Sequence, residues 1–164
     1  VITFRFDKGK NGVVEQIVNN LKTIKENGIF VFEVPYLNDL IQKLEFDTIY
    51  HEHLSYFALS PIINLVDQFG LEVFDIKKQP VHGGTIRVFI TKKGNILPKN
   101  SVQNFLDEEH EYCLDKIQTY KKFAQNVLDL KSDLMESINK LKKEKKSGKQ
   151  QNLFSQHPNA SQMI

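Results

Sequence analysis

Tyr50-His51-Glu52-His53 lies inside the run Asp47 to Phe57, which also carries Asp47, Ser55 and Tyr56. Histidine takes or gives a proton near neutrality, because its unperturbed pKa is roughly 6.5. Glu52 and Tyr50 are side chains that orient an imidazole or share its proton. Three chemistries compete for this stretch. The first is general-base catalysis. The second is metal binding: in an extended segment His51 and His53 share one face, with His82 as the obvious third ligand. The third is a polar strand or loop whose histidines satisfy backbone groups. A metal normally needs three or four protein ligands with supporting partners, so no metal ligand is assigned.

The elements around this stretch fix where it sits. Ile29 to Val34 is a nearly continuous apolar run, the pattern of a strand buried on both faces as in the centre of a parallel sheet; Pro35 ends it. Tyr36 follows at the carboxyl end of that strand, where open α/β sheets bind ligands. A packing aromatic explains Tyr36 equally well. His82-Gly83-Gly84 precedes another strand, and the two glycines suit either a close backbone approach to a ligand or a plain turn.

The wording of these segments is specific. Glu33-Val34-Pro35-Tyr36-Leu37, then Phe46 to Phe57 with its Tyr-His-Glu-His run, then Gly70 to Asp75, then His82-Gly83-Gly84-Thr85-Ile86-Arg87-Val88 follow in order. Over residues 13 to 146 the chain resembles the S-adenosylmethionine-dependent C-methyltransferases that act on nucleotide-linked 4-keto-deoxysugars. The resemblance implies His53 as general base, with Tyr50 and Glu52 lining the same pocket. Tyr36, His82, Gly83 and Gly84 are candidate substrate-binding residues. His51 is expected to be a hydrogen-bonded structural histidine. The implied cofactor is S-adenosylmethionine and the implied partner a nucleotide-sugar.

That family also carries a glycine-rich turn after its first strand, an acidic residue at the end of the second, an amino-terminal domain with zinc-binding cysteines and a further glycine-rich continuation. None is recognisable here. No cofactor-binding residue is assigned, and this chain alone is expected to bind S-adenosylmethionine weakly or not at all. The reading is a central-to-carboxyl part of a methyltransferase. The alternative is an inactive remnant that binds a partner, or itself, through its long helix.

Composition narrows the class further. The 164 residues suffice for one core, and the 40% hydrophobic and 26% charged content is ordinary for a globular chain. A net charge of +2 asks for neither nucleic acid nor membrane. The single cysteine, Cys113, excludes an internal disulfide and a cysteine-rich zinc site. No apolar run reaches bilayer-spanning length, and a cytoplasmic location is expected.

In chain order, Val1 to Phe4 is a short apolar strand. Val13 to Asn27 has helical spacing, with Gly28 as its stop. Leu37 to Leu44 is a helical candidate. Ser60-Pro61 opens a helix, with Ser60 as cap and Gly70 as stop. Leu71 to Ile76 and Thr85 to Thr91 are strands, with Arg87 read as a surface residue. The last two strands have no helix between them and pair antiparallel. The fold class is therefore α/β, the C-terminal half of a Rossmann-like methyltransferase sheet (strand-helix-strand-strand) followed by a long helical segment.

That segment opens at Asn100-Ser101. Its apolar residues, from Val102 and Phe105 to Ile138 and Leu141, recur every three or four positions. It reads as one helix, or as two with a bend near Asp129 to Ser132. Cys113 is expected to be a small buried core residue on it. Ser147 to Ile164 has no periodicity and no acidic residue, and reads as disordered. The expected units are 1–97, a partial methyltransferase-like domain; 98–146, a long helical segment; and 147–164, a tail.

Overall fold

The apolar run after Gly28 forms β2, Phe30–Pro35, and is the strand on which the fold is built. The structure is a computed structural model that describes residues 2–3 (backbone only), 12–49, 55–80 and 83–143. Its elements are β1 (Ile2–Thr3), α1 (Val13–Leu21), β2, α2 (Leu37–Gln42), a 3₁₀ turn (Phe46–Thr48), α3 (Leu59–Asp67), β3 (Leu71–Gln79), β4 (Thr85–Lys92), α4 (Asn100–Glu111) and α5 (Ile117–Lys143). The α/β class and the helix-strand-helix-strand-strand order from α1 onward are as expected. No helix among the described residues is long and apolar enough to cross a membrane.

The sheet order is β1-β2-β4-β3. β1 pairs parallel with β2, and α1 makes the crossover that parallel pairing requires. β4 lies between β2 and β3 and is antiparallel to both. The expectation of β2 at the centre of a parallel sheet is therefore corrected: only β1 is a parallel neighbour. The reason is connectivity. β3 follows β2 through a helix and keeps its direction, whereas β4 follows β3 through a short loop and must reverse. A reversed strand slots between two strands that run the same way.

Alternation along the strands sends Phe30, Phe32 and Val34 to one face, opposite Ile90, Val88 and Ile86 of β4. Ile17 and Leu21 of α1, Leu59, Ile62 and Val66 of α3, and Val102 of α4 cover that face. Burial of each large aliphatic side chain here stabilises the fold by roughly 1.5–3 kcal/mol. On the other face Glu33 sits opposite Arg87 and forms an ion pair with it. Arg87 is thus a paired, half-exposed strand residue.

Several expected boundaries move, each for a local reason. α1 stops at Leu21 rather than Asn27, and Thr23 takes one of its last carbonyls, its Oγ1 donating to Asn20 O at 2.8 Å. Gly28 is not the helix stop. It lies in a tight turn where a Cβ would come within 3.0 Å of Lys25 O. α3 begins at Leu59, and its N-cap is Ala58 rather than Ser60.

The long helical segment divides at Tyr112–Lys116, not at Asp129–Ser132, and α5 runs unbroken through the latter. The division is a paired helix-end motif: Cys113 N–H donates to His110 O at 3.0 Å and Leu114 N–H to Glu109 O at 3.1 Å. That motif puts Cys113 in the left-handed region at φ 51°. Cys113 is exposed there, so its expected place in the core is corrected. Leu114 takes the buried position instead, beside Leu40, Ile41 and Ala58.

Candidate functional site

The carboxyl end of β2 gathers the pieces. Tyr36 forms a parallel bridge with Phe57, and Leu37 N–H donates to Phe57 O at 2.8 Å. Tyr56 Oη donates to Thr48 O at 3.3 Å. These contacts hold together the two flanks of the Tyr50–Leu54 stretch and fix both beside the end of β2. Tyr36 N–H donates to Gly84 O at 3.0 Å, so the loop before β4 meets the same point.

That loop is locked onto α2. Lys43 Nζ donates to Gly83 O. A Cβ on Gly84 would overlap the Asp39 carboxylate, and one on Gly83 (φ 81°) would overlap the Glu45 carboxylate. The glycines are needed because two acidic side chains approach the backbone closely. Burial holds the Glu45 carboxyl above its ordinary pKa; Lys43 opposes this, and the charges of Asp39 and Asp47 add to it. A cavity of about 250 Å³ opens here, lined by Asp39, Lys43, Lys78, Gln79, Pro80, Gly83 and Gly84.

Asp39 is 4% exposed and is the hub of the cluster. Its Oδ1 lies 2.8 Å from Lys78 Nζ and its Oδ2 3.3 Å from Lys43 Nζ. Lys78 also reaches Glu108 Oε1 at 3.4 Å, and Asn38 Nδ2 donates to the same oxygen at 2.9 Å. Burial alone would lower the Lys78 pKa, but the hydrogen bond and charge of Asp39, with Glu108, outweigh it and raise it. The ammonium sits 5.4 Å from the centre of the Tyr36 ring, a cation–π contact.

Tyr36 itself is 1% exposed and packs on Phe105 of α4 at 5.5 Å. Burial, then the charges of Glu109 and Glu108, hold its phenol well above the ordinary tyrosine range.

Glu109 ties α4 to the start of α3. Its Oε1 accepts Leu59 N–H at 2.5 Å, and its Oε2 accepts Ser60 N–H at 3.0 Å and Ser60 Oγ–H at 2.7 Å. A carboxylate suits the N–H groups at a helix start and the positive end of its dipole. α3 leads directly from the Tyr50–Phe57 run, so Glu109 anchors the carboxyl side of that run.

Of the residues singled out in the sequence, Tyr36, Gly83 and Gly84 meet at the end of β2, through the Tyr36–Gly84 backbone bond. Tyr50, His51, Glu52, His53 and His82 lie outside the described residues, as does the 147–164 tail. In the chain, the Tyr50–Leu54 stretch is flanked by the described residues Ile49 and Ser55, and Val81–His82 by Pro80 and Gly83. Asn38, Asp39, Lys78 and Glu109 escaped the sequence reading. Polar residues on an amphipathic helix read as solvated, and only burial distinguishes Asn38, Asp39 and Glu109; Lys78, exposed on β3, is set apart only by its ion pair with Asp39. An available signal was the glycine pair, which asks what approaches it so closely.

A second cavity, about 330 Å³ and mostly apolar, lies between α1 and α3 over Phe32 and reaches Ser55–Phe57. Among the described residues no group of three or more His, Cys, Asp or Glu side chains is placed to hold a metal ion. The connection between β1 and α1, where folds of this kind carry a glycine-rich turn, lies outside the described residues except for Gly12, and no methyl-donor contact is derived.

Comparison with known proteins agrees with this architecture. Residues 80–148 match the C-methyltransferase C-terminal domain family. The C-methyltransferase NovU of Streptomyces niveus is 32% identical over 129 residues, which cover 76% of this chain and 30% of the relative. The likeness to C-methyltransferases is thus present over the central and C-terminal parts, and the chain spans about 30% of the length of the relative it matches. The family match begins at Pro80, so it takes in the Gly83–Gly84 loop, β4, α4 with Glu109, and α5.

Proposed function

We propose that this chain, a methyltransferase-family chain in its central and C-terminal parts, forms the substrate side of a C-methyltransferase site in which His53 removes a proton from carbon beside the carbonyl of a nucleotide-linked 4-keto-deoxysugar. The observation that carries the reading is the convergence on the end of β2: Phe57 and Gly84 both hydrogen-bond the Tyr36–Leu37 backbone. Phe57, which follows the Tyr50–Leu54 stretch in the chain, and Gly84, which follows His82, thus meet at the carboxyl end of β2. Open α/β sheets bind ligands at the carboxyl ends of their strands.

The chemistry asked of these residues is enolate formation. The His53 imidazole accepts the proton, and the C–H electron pair moves to the carbonyl oxygen. Tyr50 and Glu52 orient the imidazole and the sugar. The cavity beside Gly83 and Gly84 takes the substrate. In the parent family S-adenosylmethionine supplies the methyl group; its binding is assigned to no described residue. Deuterium exchange at the sugar carbon beside the carbonyl tests the reading, because it needs the base and not the methyl donor.

A second reading rests on a separate observation. α5 carries large apolar side chains in solvent, which suits a surface for association rather than catalysis.

A further inference from the structure

Lys78 lies on the exposed end of β3 and lines the cavity beside the end of β2 with Asp39, Lys43 and Gly83. Three groups hold its ammonium: Asp39 Oδ1 at 2.8 Å, Glu108 Oε1 at 3.4 Å and the face of the Tyr36 ring, 5.4 Å from its centre. Asp39 and Tyr36 are buried, so the cation is fixed against the core rather than loose in solvent. An ammonium has three N–H donors, and the two carboxylates take two of them. A donor fixed in advance needs no reorganisation when negative charge develops beside it.

Size and charge select the part of a substrate that fits here. The cavity, about 250 Å³, is smaller than the roughly 300–1,000 Å³ of sites that enclose a whole ligand, so it takes one part of a nucleotide-sugar. Among the described residues two cations line it, Lys43 and Lys78, and both pair with Asp39. The Glu108 carboxylate stands at Lys78 and the Glu45 carboxylate against Gly83. Two positive charges against three carboxylates leave nothing to neutralise a diphosphate, and they repel it. A neutral ring bearing carbonyl and hydroxyl oxygens meets no such penalty. Pro80 and the lysine stems offer its C–H groups an apolar wall.

Resting on the reading of this site as that of a C-methyltransferase, we propose that the cavity takes the keto-sugar ring and that Lys78 donates a hydrogen bond to its carbonyl oxygen. His53 takes the proton from the neighbouring carbon, the C–H electron pair moves onto the carbonyl oxygen, and the third Lys78 N–H holds the oxyanion. Lys78 keeps its own proton throughout, because its carboxylate neighbours favour the charged form.

Calorimetry on the full chain tests the subsite without any chemistry, using a nucleotide-linked 4-keto-deoxyhexose and the matching nucleoside diphosphate. The keto-sugar is expected to bind about tenfold tighter or more, the worth of a hydrogen bond to a charged group. Lys78→Met removes that difference and leaves diphosphate binding unchanged. Lys78→Gln, whose amide still offers Asp39 a donor and so protects the fold, does the same. With saturating keto-sugar in deuterated water, either variant slows exchange beside the carbonyl about 10²-fold, as loss of one oxyanion donor does. Equal wild-type affinity for the two ligands, or binding of neither, overturns the proposal. So does diphosphate binding that depends on Lys78, or exchange that both variants leave untouched. Keto-sugar binding that depends on Lys78, with no exchange in the wild type, supports the sugar subsite and counts against His53 alone.

Discussion

Glu109 caps a helix to which it does not belong: its carboxylate accepts the Leu59 and Ser60 N–H groups that open α3, fifty and forty-nine residues earlier in the chain. A buried carboxylate is stable only where donors surround it. Here the three hydrogen bonds make the start of α3, and with it the exit from the Tyr50–Phe57 run, depend on α4. Replacing Glu109 by Ala is expected to lower unfolding free energy by about 2–3 kcal/mol, through lost charge-assisted bonds and orphaned N–H groups. Urea unfolding measures this. An unchanged midpoint and slope would remove the anchoring role.

Gly84 and Asp39 are predicted to be coupled. Gly84→Ala places a methyl group on the Asp39 carboxylate and should destabilise the protein by about 1–3 kcal/mol. Combining it with Asp39→Gly should cost less than the sum of the two single changes, because the overlapping group is gone. Strict additivity in that double-mutant cycle would mean that the loop is not held against α2 as described.

Asp75 gives the fold a defined response to acid. Burial alone would raise its pKa. Hydrogen bonds from Lys99 Nζ at 2.6 Å, Ser101 Oγ at 2.8 Å and Ile76 N–H at 2.9 Å outweigh burial and lower it. A carboxylate with a depressed folded pKa adds stability above its unfolded value of about 3.9, and that stability is lost as pH falls through the folded value. Unfolding free energy should therefore decline as pH falls below the unfolded value of about 3.9 and on through the lower folded one. Asp75→Asn should flatten that decline and cost about 1–2 kcal/mol at pH 7. An equally steep decline in the variant would place the acid response elsewhere.

Cys113 marks a backbone position that glycine fills better. Its φ of 51° is strained for an L side chain, and its thiol faces solvent. Cys113→Gly should stabilise the protein by about 0.5–1 kcal/mol, read as a rise in thermal midpoint. The native thiol should react with a maleimide without denaturant. Protection of the thiol would argue against the helix ending where it does.

The contrast between what was legible in the sequence and what was not follows from these residues. Phe30 to Val34, the Leu59–Val66 helix and the β3–β4 pair announce themselves by apolar period, which records burial directly. The insertion of β4 between β2 and β3 is not periodic information; it follows from which connections are long enough to cross the sheet. The break at Cys113 was hidden because the left-handed position is held by a residue other than glycine, and the helical stripe continues across it. Ser60 looked like a cap by type, but a side chain from α4 took the role. In the site, the glycine pair was visible while its cause, Asp39 and Glu45, was not. A carboxylate on an amphipathic helix looks solvated until the fold buries it.

The role of His53 as base is best tested without any methyl donor. A nucleotide-linked 4-keto-deoxyhexose is incubated with the protein in deuterated water, and the proton signal on carbon beside the carbonyl is followed by NMR. Protein-dependent loss of that signal is expected, slowed about 10²-fold or more in His53→Ala and retained in His51→Ala. Exchange no faster than in buffer, or exchange that His53→Ala leaves untouched, would contradict the assignment of His53 as the base.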